Sequence, residues 1–206
     1  MEYAIFFIAA ACAYLVCAIN PSILLSTAIY HKDVRTGGSG NAGFTNFKRC
    51  FGWKLAWIVL LFDLAKAAVI IAVFAPMIAH YHHDYAMGAA FTGFFCILGH
   101  SYPVYYGFKG GKSVLTFLSA IWFIDWRSGL ITLGVMVIIL LTLKYMSVAT
   151  VTAMATCPVS LIFFHASVWT VVLCALAVLF IAWRHKENFK RLAKGTESKF
   201  LLFKKK

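Results

Sequence analysis

The sequence predicts an all-α integral membrane protein with about seven transmembrane helices, the N-terminus outside and the C-terminus in the cytoplasm. Three observations lead there. Of 206 residues, 62% are hydrophobic and only 13% charged, with mean hydropathy +0.83; soluble domains carry about 25% charged residues. The apolar residues fall into long runs. The formal net charge of +12 is unevenly placed along the chain, and loop Lys and Arg set membrane orientation.

The runs are taken in order. Tyr3–Tyr30 is the first span, interrupted by Asn20-Pro21. It is too long for a signal h-region and has no basic n-region before it, so an uncleaved span is expected. Residues 55–79 form the second. Segments 85–98 and 114–124 fall short of the roughly 20 residues a full crossing needs, and each reads as a crossing or as half of a re-entrant pair. Segments 129–143, 147–164 and 166–183 complete the set. If all seven cross, every Lys and Arg except Lys66, inside a span, and Arg127 falls on one side. That side is the cytoplasm. Without the two short segments Lys109 and Lys112 would be stranded outside. The tail 184–206 is basic with Phe200, Leu201, Leu202 and Phe203 interleaved, which reads as a helix lying on the anionic inner surface. With no internal repeat or linker, residues 1–206 are expected to be one domain.

Three polar clusters fall on the cytoplasmic side. The first runs from Gly37 to Arg49. Its glycines (37, 38, 40 and 43) free the backbone to turn N–H groups toward an anion, Ser39, Asn41, Thr45 and Asn46 add short polar groups, and Arg49 adds a planar fork suited to phosphate. The second runs from Gly99 to Ser113, with Lys109 and Lys112 around Gly110-Gly111. It is not a nucleotide P-loop, because Tyr106 stands where the pattern needs glycine; lysines flanking a helix N-terminus are a simpler anion site. The third runs from Arg184 to Glu197. His185 and Asn188 share a helical face, and Glu187 and Arg191 are spaced for an i,i+4 pair.

Four further features bear on function. Asp63 and Lys66 lie one turn apart inside the second span, where a charge costs about 2.5–3.5 kcal/mol unless paired or facing a polar cavity. Lys144, Ser147 and Thr150 recur at three-residue spacing, their hydroxyls aimed into a cavity or bonded back one turn. The six cysteines (12, 17, 50, 96, 157 and 174) contain no C-x-x-C and read as small apolar residues. His80, His82, His83 and Asp84 cluster in one loop, but nothing else supports a metal there, and neither metal nor cofactor is expected.

In order, these clusters resemble the three signature motifs of the bacterial acyl-phosphate:glycerol-3-phosphate acyltransferases, the PlsY family. The first corresponds to Gly38 to Asn46 with Arg49. The second corresponds to Gly99, His100 and Pro103, then Phe108 to Lys112. The third corresponds to His185, Glu187, Asn188, Arg191, Leu192 and Gly195 to Glu197. An Asp-x-x-Lys in the second span also fits. Phe44 stands for the usual alanine, Ser113 for glycine, Lys144 for arginine and Thr150 for serine, departures that bear on substrate preference more than on activity.

The resemblance implies transfer of a fatty acyl group from acyl-phosphate to the 1-hydroxyl of glycerol 3-phosphate, giving lysophosphatidic acid and phosphate. This would occur at the cytoplasmic face of a bacterial inner membrane. Long-chain acyl-phosphate, glycerol 3-phosphate and membrane lipids are the implied partners, with no nucleic acid. Ser39, Arg49, Lys112, His185 and Asn188 are the implied phosphate ligands, with Arg49, Lys112, His185 and Asn188 closest to catalysis. Gly40, Asn41, Asn46, Lys109, Gly110, Gly111, Ser147 and Thr150 complete the expected substrate site. No histidine has Asp five residues on, so a His-Asp acyltransferase pair is absent. Positioning and electrostatics should then carry the rate, with a substrate phosphate or His185 taking the hydroxyl proton. The competing class is a membrane transporter or binding protein for an organic phosphate; such transporters show inverted repeats and paired broken spans at mid-membrane, and the sequence has neither.

Overall fold

The structure, a computed structural model, describes residues 2–200; Leu201, Leu202, Phe203 and Lys204 to Lys206 lie outside the described residues. The helices are α1 (Glu2–Ala18), α2 (Pro21–Tyr30), α3 (Phe44–Phe51), α4 (Ala56–His82), α5 (Tyr85–Ser101), α6 (Val114–Ile124), α7 (Trp126–Leu143), α8 (Met146–Phe163), α9 (Val168–Arg184) and α10 (Lys186–Ala193). Among the described residues, four stretches are long and apolar enough to cross a membrane: Tyr3–Tyr30, Ala56–His82, Trp126–Leu143 and Met146–Phe163. α9 and α10, bent 50° at their junction, make a fifth if counted together. α6, at 11 residues, rises only about 17 Å, about half a hydrocarbon core. The chain divides into two compact units, 1–124 and 125–206.

Packing in the first unit rests on small residues. α1 buries Ile5, Ala9, Ala13 and Cys17 at four-residue spacing and turns Tyr3, Phe7, Ile8 and Leu15 outward. α5 contacts α1, α4 and α6, and its glycines allow the approach. A Cβ at Gly88 would lie 2.8 Å from the Ala75 carbonyl oxygen, one at Gly93 2.9 Å from Ala120 Cβ, and one at Gly99 would collide with the Tyr14 backbone. Lipid tails offer no hydrophobic drive between helices, so close van der Waals contact through small residues supplies the association.

Between α1 and α2 the chain breaks at Asn20-Pro21. Asn20 caps α2 by accepting from Ile23 N, and Pro21 occupies the first turn, where its missing N–H costs nothing. Below the loop that follows α2, Ile23, Val34, Ala42, Phe47, Ala56 and Val59 form a buried apolar cluster. Tyr30 stacks on Phe51 at 4.4 Å and fixes the end of α3.

In the second unit hydroxyls join α7 to α8. Ser160 donates to Ser128 Oγ at 2.8 Å, and the Thr132 and Thr156 hydroxyls lie 3.4 Å apart. Asp125 caps α7 by accepting from Arg127 N and Ser128 N. Cys17, Cys96, Cys157 and Cys174 are buried as free thiols, as their apolar setting implied, while Cys50 is exposed. In the histidine loop, Asp84 caps α5 by accepting from Met87 N and His83 ends α4 in a left-handed turn.

Gly99→Val should abolish accumulation of folded protein or lower its Tm in detergent by more than about 10 °C, because backbone atoms cannot move aside as a side chain can. Gly134→Ala meets nothing within 4 Å and should be neutral to about 1 kcal/mol stabilising. Thermal unfolding of the two variants in one detergent checks the contrast.

Candidate active site

The first unit carries two loops. In the first, Gly38 and Gly40 have φ of 59° and 70°, values that cost a side chain roughly 1 kcal/mol or more. Asn46 is buried and braces this loop: its Oδ1 accepts from Ser39 N at 2.8 Å, and its Nδ2 donates to the carbonyls of Val34 (2.9 Å) and Gly37 (3.0 Å). Its amide is therefore engaged with backbone, and Ser39 is set by it. Ser39, Gly40 and Arg49 are exposed and Asn41 half-buried. Lys48 lies over the Trp53 ring at 3.9 Å, and burial lowers its pKa.

Arg35, which the sequence reading counted only as an orienting charge, ties the first loop to the second. Its guanidinium grips Asp33 (2.6 Å, Nη2 to Oδ2) and donates through Nη1 to the carbonyls of Tyr106 (2.9 Å) and Lys109 (3.2 Å). The hydrogen bond from Arg35 holds the Asp33 carboxyl below its ordinary value and raises that of Arg35 itself. The Asp-x-Arg spacing was the available signal.

In the second loop Gly110 and Gly111 are buried. Gly110 N donates to Ser101 O at 3.2 Å and Gly111 N to His100 O at 3.1 Å. A Cβ on either would collide with His100. Close packing therefore accounts for both glycines, and the expected cationic groups stand beside them, Lys109 exposed and Lys112 half-buried. Ser113 adopts φ 59°, the conformation the usual glycine takes freely, and its hydroxyl bonds Ser101 Oγ and Ile97 O, each at 2.7 Å. The expected Asp63–Lys66 pair forms at 2.8 Å with both side chains buried. Beside this loop an apolar cleft of about 440 Å³ runs along α1 and α5, with Ala10 and Ala11 as floor and Phe95, Tyr102 and Phe108 among its walls.

The second unit gathers the third cluster around Glu197. Its carboxylate accepts from Asn188 Nδ2 (2.6 Å), Arg191 Nε (2.8 Å) and Ser147 Oγ (3.3 Å). The expected Glu187–Arg191 pair does not form: Glu187 pairs with Lys190 at 2.9 Å and Arg191 turns to Glu197. The reason is solvent. Glu197 is largely screened from water while Glu187 is exposed, and a shielded carboxylate attracts a cation more strongly. His185 is buried at the α9–α10 junction, its Nδ1 2.8 Å from Ile181 O. A carbonyl only accepts, so Nδ1 carries a proton and the neutral ring has its lone pair on Nε2. Neither hydroxyl bonds back one turn: Ser147 reaches Glu197, and Thr150 Oγ1 is buried with no partner among the described residues. Lys144 ends α7 in a left-handed turn and is exposed.

Burial raises the Glu197 carboxyl, but the bonds from Asn188 and Arg191 outweigh it and the net shift is downward. A carboxyl depressed in the fold contributes stability above its ordinary value near 4.5 and loses it as pH falls through the depressed one. Glu197→Gln should cost about 1 kcal/mol at pH 7, discounted because solvent reaches Arg191. The gap between wild type and variant should close toward pH 3, as thermal unfolding at several pH values would show.

Comparison with known proteins identifies the family of the chain. The family model described as glycerol-3-phosphate acyltransferase matches residues 7–195. A glycerol-3-phosphate acyltransferase of Coxiella burnetii (strain Dugway 5J108-111) is 35% identical over 197 residues, 96% of this chain and 99% of the relative. One from Lactiplantibacillus plantarum is 35% identical over 187 residues, 90% of this chain and 88% of the relative. The crystal structure of PlsY (YgiH), an integral membrane glycerol 3-phosphate acyltransferase, in its glycerol 3-phosphate form superposes with TM-score 0.85 at 29% identity, over 95% of this chain and 96% of that one. Its lysophosphatidic acid form gives TM-score 0.81 at 28% identity, over 95% of each chain.

Proposed function

The chain belongs to the glycerol-3-phosphate acyltransferase family, and we propose that it moves a fatty acyl group from acyl-phosphate to the 1-hydroxyl of glycerol 3-phosphate. The products are lysophosphatidic acid and phosphate. The observation that carries this reading is the likeness to one solved protein in two forms, with glycerol 3-phosphate and with lysophosphatidic acid. These two molecules differ by one acyl group. Acyl-phosphate as donor is supported by the chemistry of the clusters: both substrates then carry phosphate, which suits Arg49, Lys109 and Lys112 beside the braced loops. The sequence has no His-x-x-x-x-Asp pair of the kind that uses a thioester.

In this reading the substrate hydroxyl oxygen attacks the acyl carbonyl carbon, the carbonyl–phosphate oxygen bond breaks, and phosphate leaves with the electron pair. Ser39, Arg49 and Lys112 in the first unit and His185 and Asn188 in the second hold phosphate oxygens, with Asn41, Lys109, Ser147 and Thr150 as further contacts. Asn46, Gly110 and Gly111 act through the loops they shape. The hydroxyl proton passes to a substrate phosphate, whose second pKa is near 6, or to the Nε2 lone pair of His185. The apolar cleft beside the second loop accommodates the acyl chain. The whole chain acts as one acyltransferase of a bacterial inner membrane, crossing about seven times, with the C-terminus and the chemistry on the cytoplasmic side.

The test is phosphate release from palmitoyl-phosphate by purified protein in detergent, with and without glycerol 3-phosphate. Acceptor-dependent release with lysophosphatidic acid formed, and none from acyl-CoA, is expected. No release above the acceptor-free rate would sink the enzyme reading and favour a phosphate-binding transporter. Arg49→Lys, which loses the planar fork, should lower kcat/KM at least about tenfold, the worth of one charge-assisted contact. His185→Gln separates two roles: turnover lost with acceptor binding intact marks a base, and binding lost marks a ligand.

A further inference from the structure

His100 is tied to both loops of the first unit. Its ring belongs to a buried group of three: Lys66 Nζ lies 2.8 Å from Asp63 Oδ1, 2.8 Å from Ile19 O and 3.1 Å from His100 Nδ1, and that Nδ1 is 3.3 Å from Asp63 Oδ1. An ammonium has donors only. Nδ1 thus meets one group that only donates and, in Asp63, one that only accepts, and the two fix the ring at that nitrogen. The Nε2 edge faces Gly111: a Cβ there would collide with Nε2 and would lie 2.7 Å from the carbonyl oxygen of Ala42 in the first loop. The same Ala42 carbonyl accepts from Asn20 Nδ2 at 3.1 Å, and Asn20 follows Ile19, which holds Lys66. The second loop docks on the same helix end through Gly111 N to His100 O.

We propose that Asp63, Lys66 and His100 form a positioning triad for acceptor binding. Asp63 and Lys66 hold the His100 ring at Nδ1, and its Nε2 edge seats Gly111 and Ala42 against each other. The two loops thereby present Arg49 and Lys112 in register to the phosphate of glycerol 3-phosphate. The inference rests on the acyltransferase reading for its ligand. None of the three residues is a catalytic residue; each acts through the loops.

Asn and Gln variants of His100 separate the two ring nitrogens, because an Asn amide reaches the Nδ1 position and a Gln amide reaches Nε2. The measurements are the Kd and KM for glycerol 3-phosphate, kcat and Tm in one detergent. His100→Asn should keep Tm within a few degrees, raise Kd and KM about tenfold or more, and leave kcat within about threefold. His100→Gln should restore Kd and KM to within about threefold of wild type. Unchanged Kd in His100→Asn overturns the triad. Equal loss in both variants together with a lowered Tm also overturns it, because that is the mark of a purely structural histidine. Wild-type protein that binds glycerol 3-phosphate yet transfers no acyl group would overturn the acyl-transfer reading instead, and the contrast in Kd would still decide the triad.

Discussion

The Lys66 side chain is almost wholly buried, and the first unit is arranged around what a buried cation requires. A buried cation needs acceptors that the helices have not already used. The chain supplies one by breaking. Pro21 has no N–H, and the N–H of Ile23, which would otherwise bond Ile19 O, goes to the Asn20 side chain. Ile19 O is left for Lys66. The Asn20-Pro21 pair, visible in the sequence only as a helix interruption, thus creates an acceptor, caps the next helix and bonds the first loop through Ala42. Asp63 neutralises the charge from one turn away. Losing either partner leaves a buried charge uncompensated, at a cost of roughly 3–5 kcal/mol.

The remainder of the packing follows from the same solvent. Large apolar side chains face outward because lipid accepts them, so helices meet through what is left: Gly88, Gly93 and Gly99 on α5, Ala9 and Ala13 on α1, and the Ser128–Ser160 hydroxyls between α7 and α8. The polar loops can then be built on a closely packed base. Gly99 sets α5 against α1, and the next residue is His100, against which the second loop docks. Helix packing and site geometry are joined at one dipeptide.

Much of this was legible in the sequence. Hydropathy located every helix that later proved long and apolar, and α9 bends into α10 where the basic tail was expected to begin. The short segment 114–124 emerged as α6 at the same bounds, while segment 85–98 runs on to Ser101 because His100 and Ser101 pack inside. The motif residues fall partly in loops and partly on α3, the end of α5 and α10. What residue type and spacing do not give is direction. Asn46, Gly110 and Gly111 stood out because amides and glycines suit anions, and the structure adds that the Asn46 amide and the N–H groups of both glycines bond the protein's own backbone. Arg35 read as an orienting charge, yet its fork serves carbonyls 71 and 74 residues away. Glu187 and Arg191 had ideal spacing, yet the shielded Glu197 competed better. In each case a long-range partner, invisible to local pattern, decided the outcome.

The two units solve one problem in different ways. A ligand for a dianion must keep its position without being consumed by the bonds that position it. In the first unit the work is divided: Asn46 and Arg35 brace the loops by bonding backbone, and Ser39 is set by Asn46. In the second, single side chains do both. His185 donates through Nδ1 to Ile181 O, while Asn188 donates through Nδ2 to Glu197. Divided labour tolerates change at the ligand, because the scaffold survives it. Shared labour does not: on the proposed reading a change at His185 or Asn188 would remove a ligand, and it also removes the side chain that bonds Ile181 O or Glu197. The second unit is therefore where loss of function and loss of fold are hardest to separate, and variants there must preserve the buried half of each side chain to be informative.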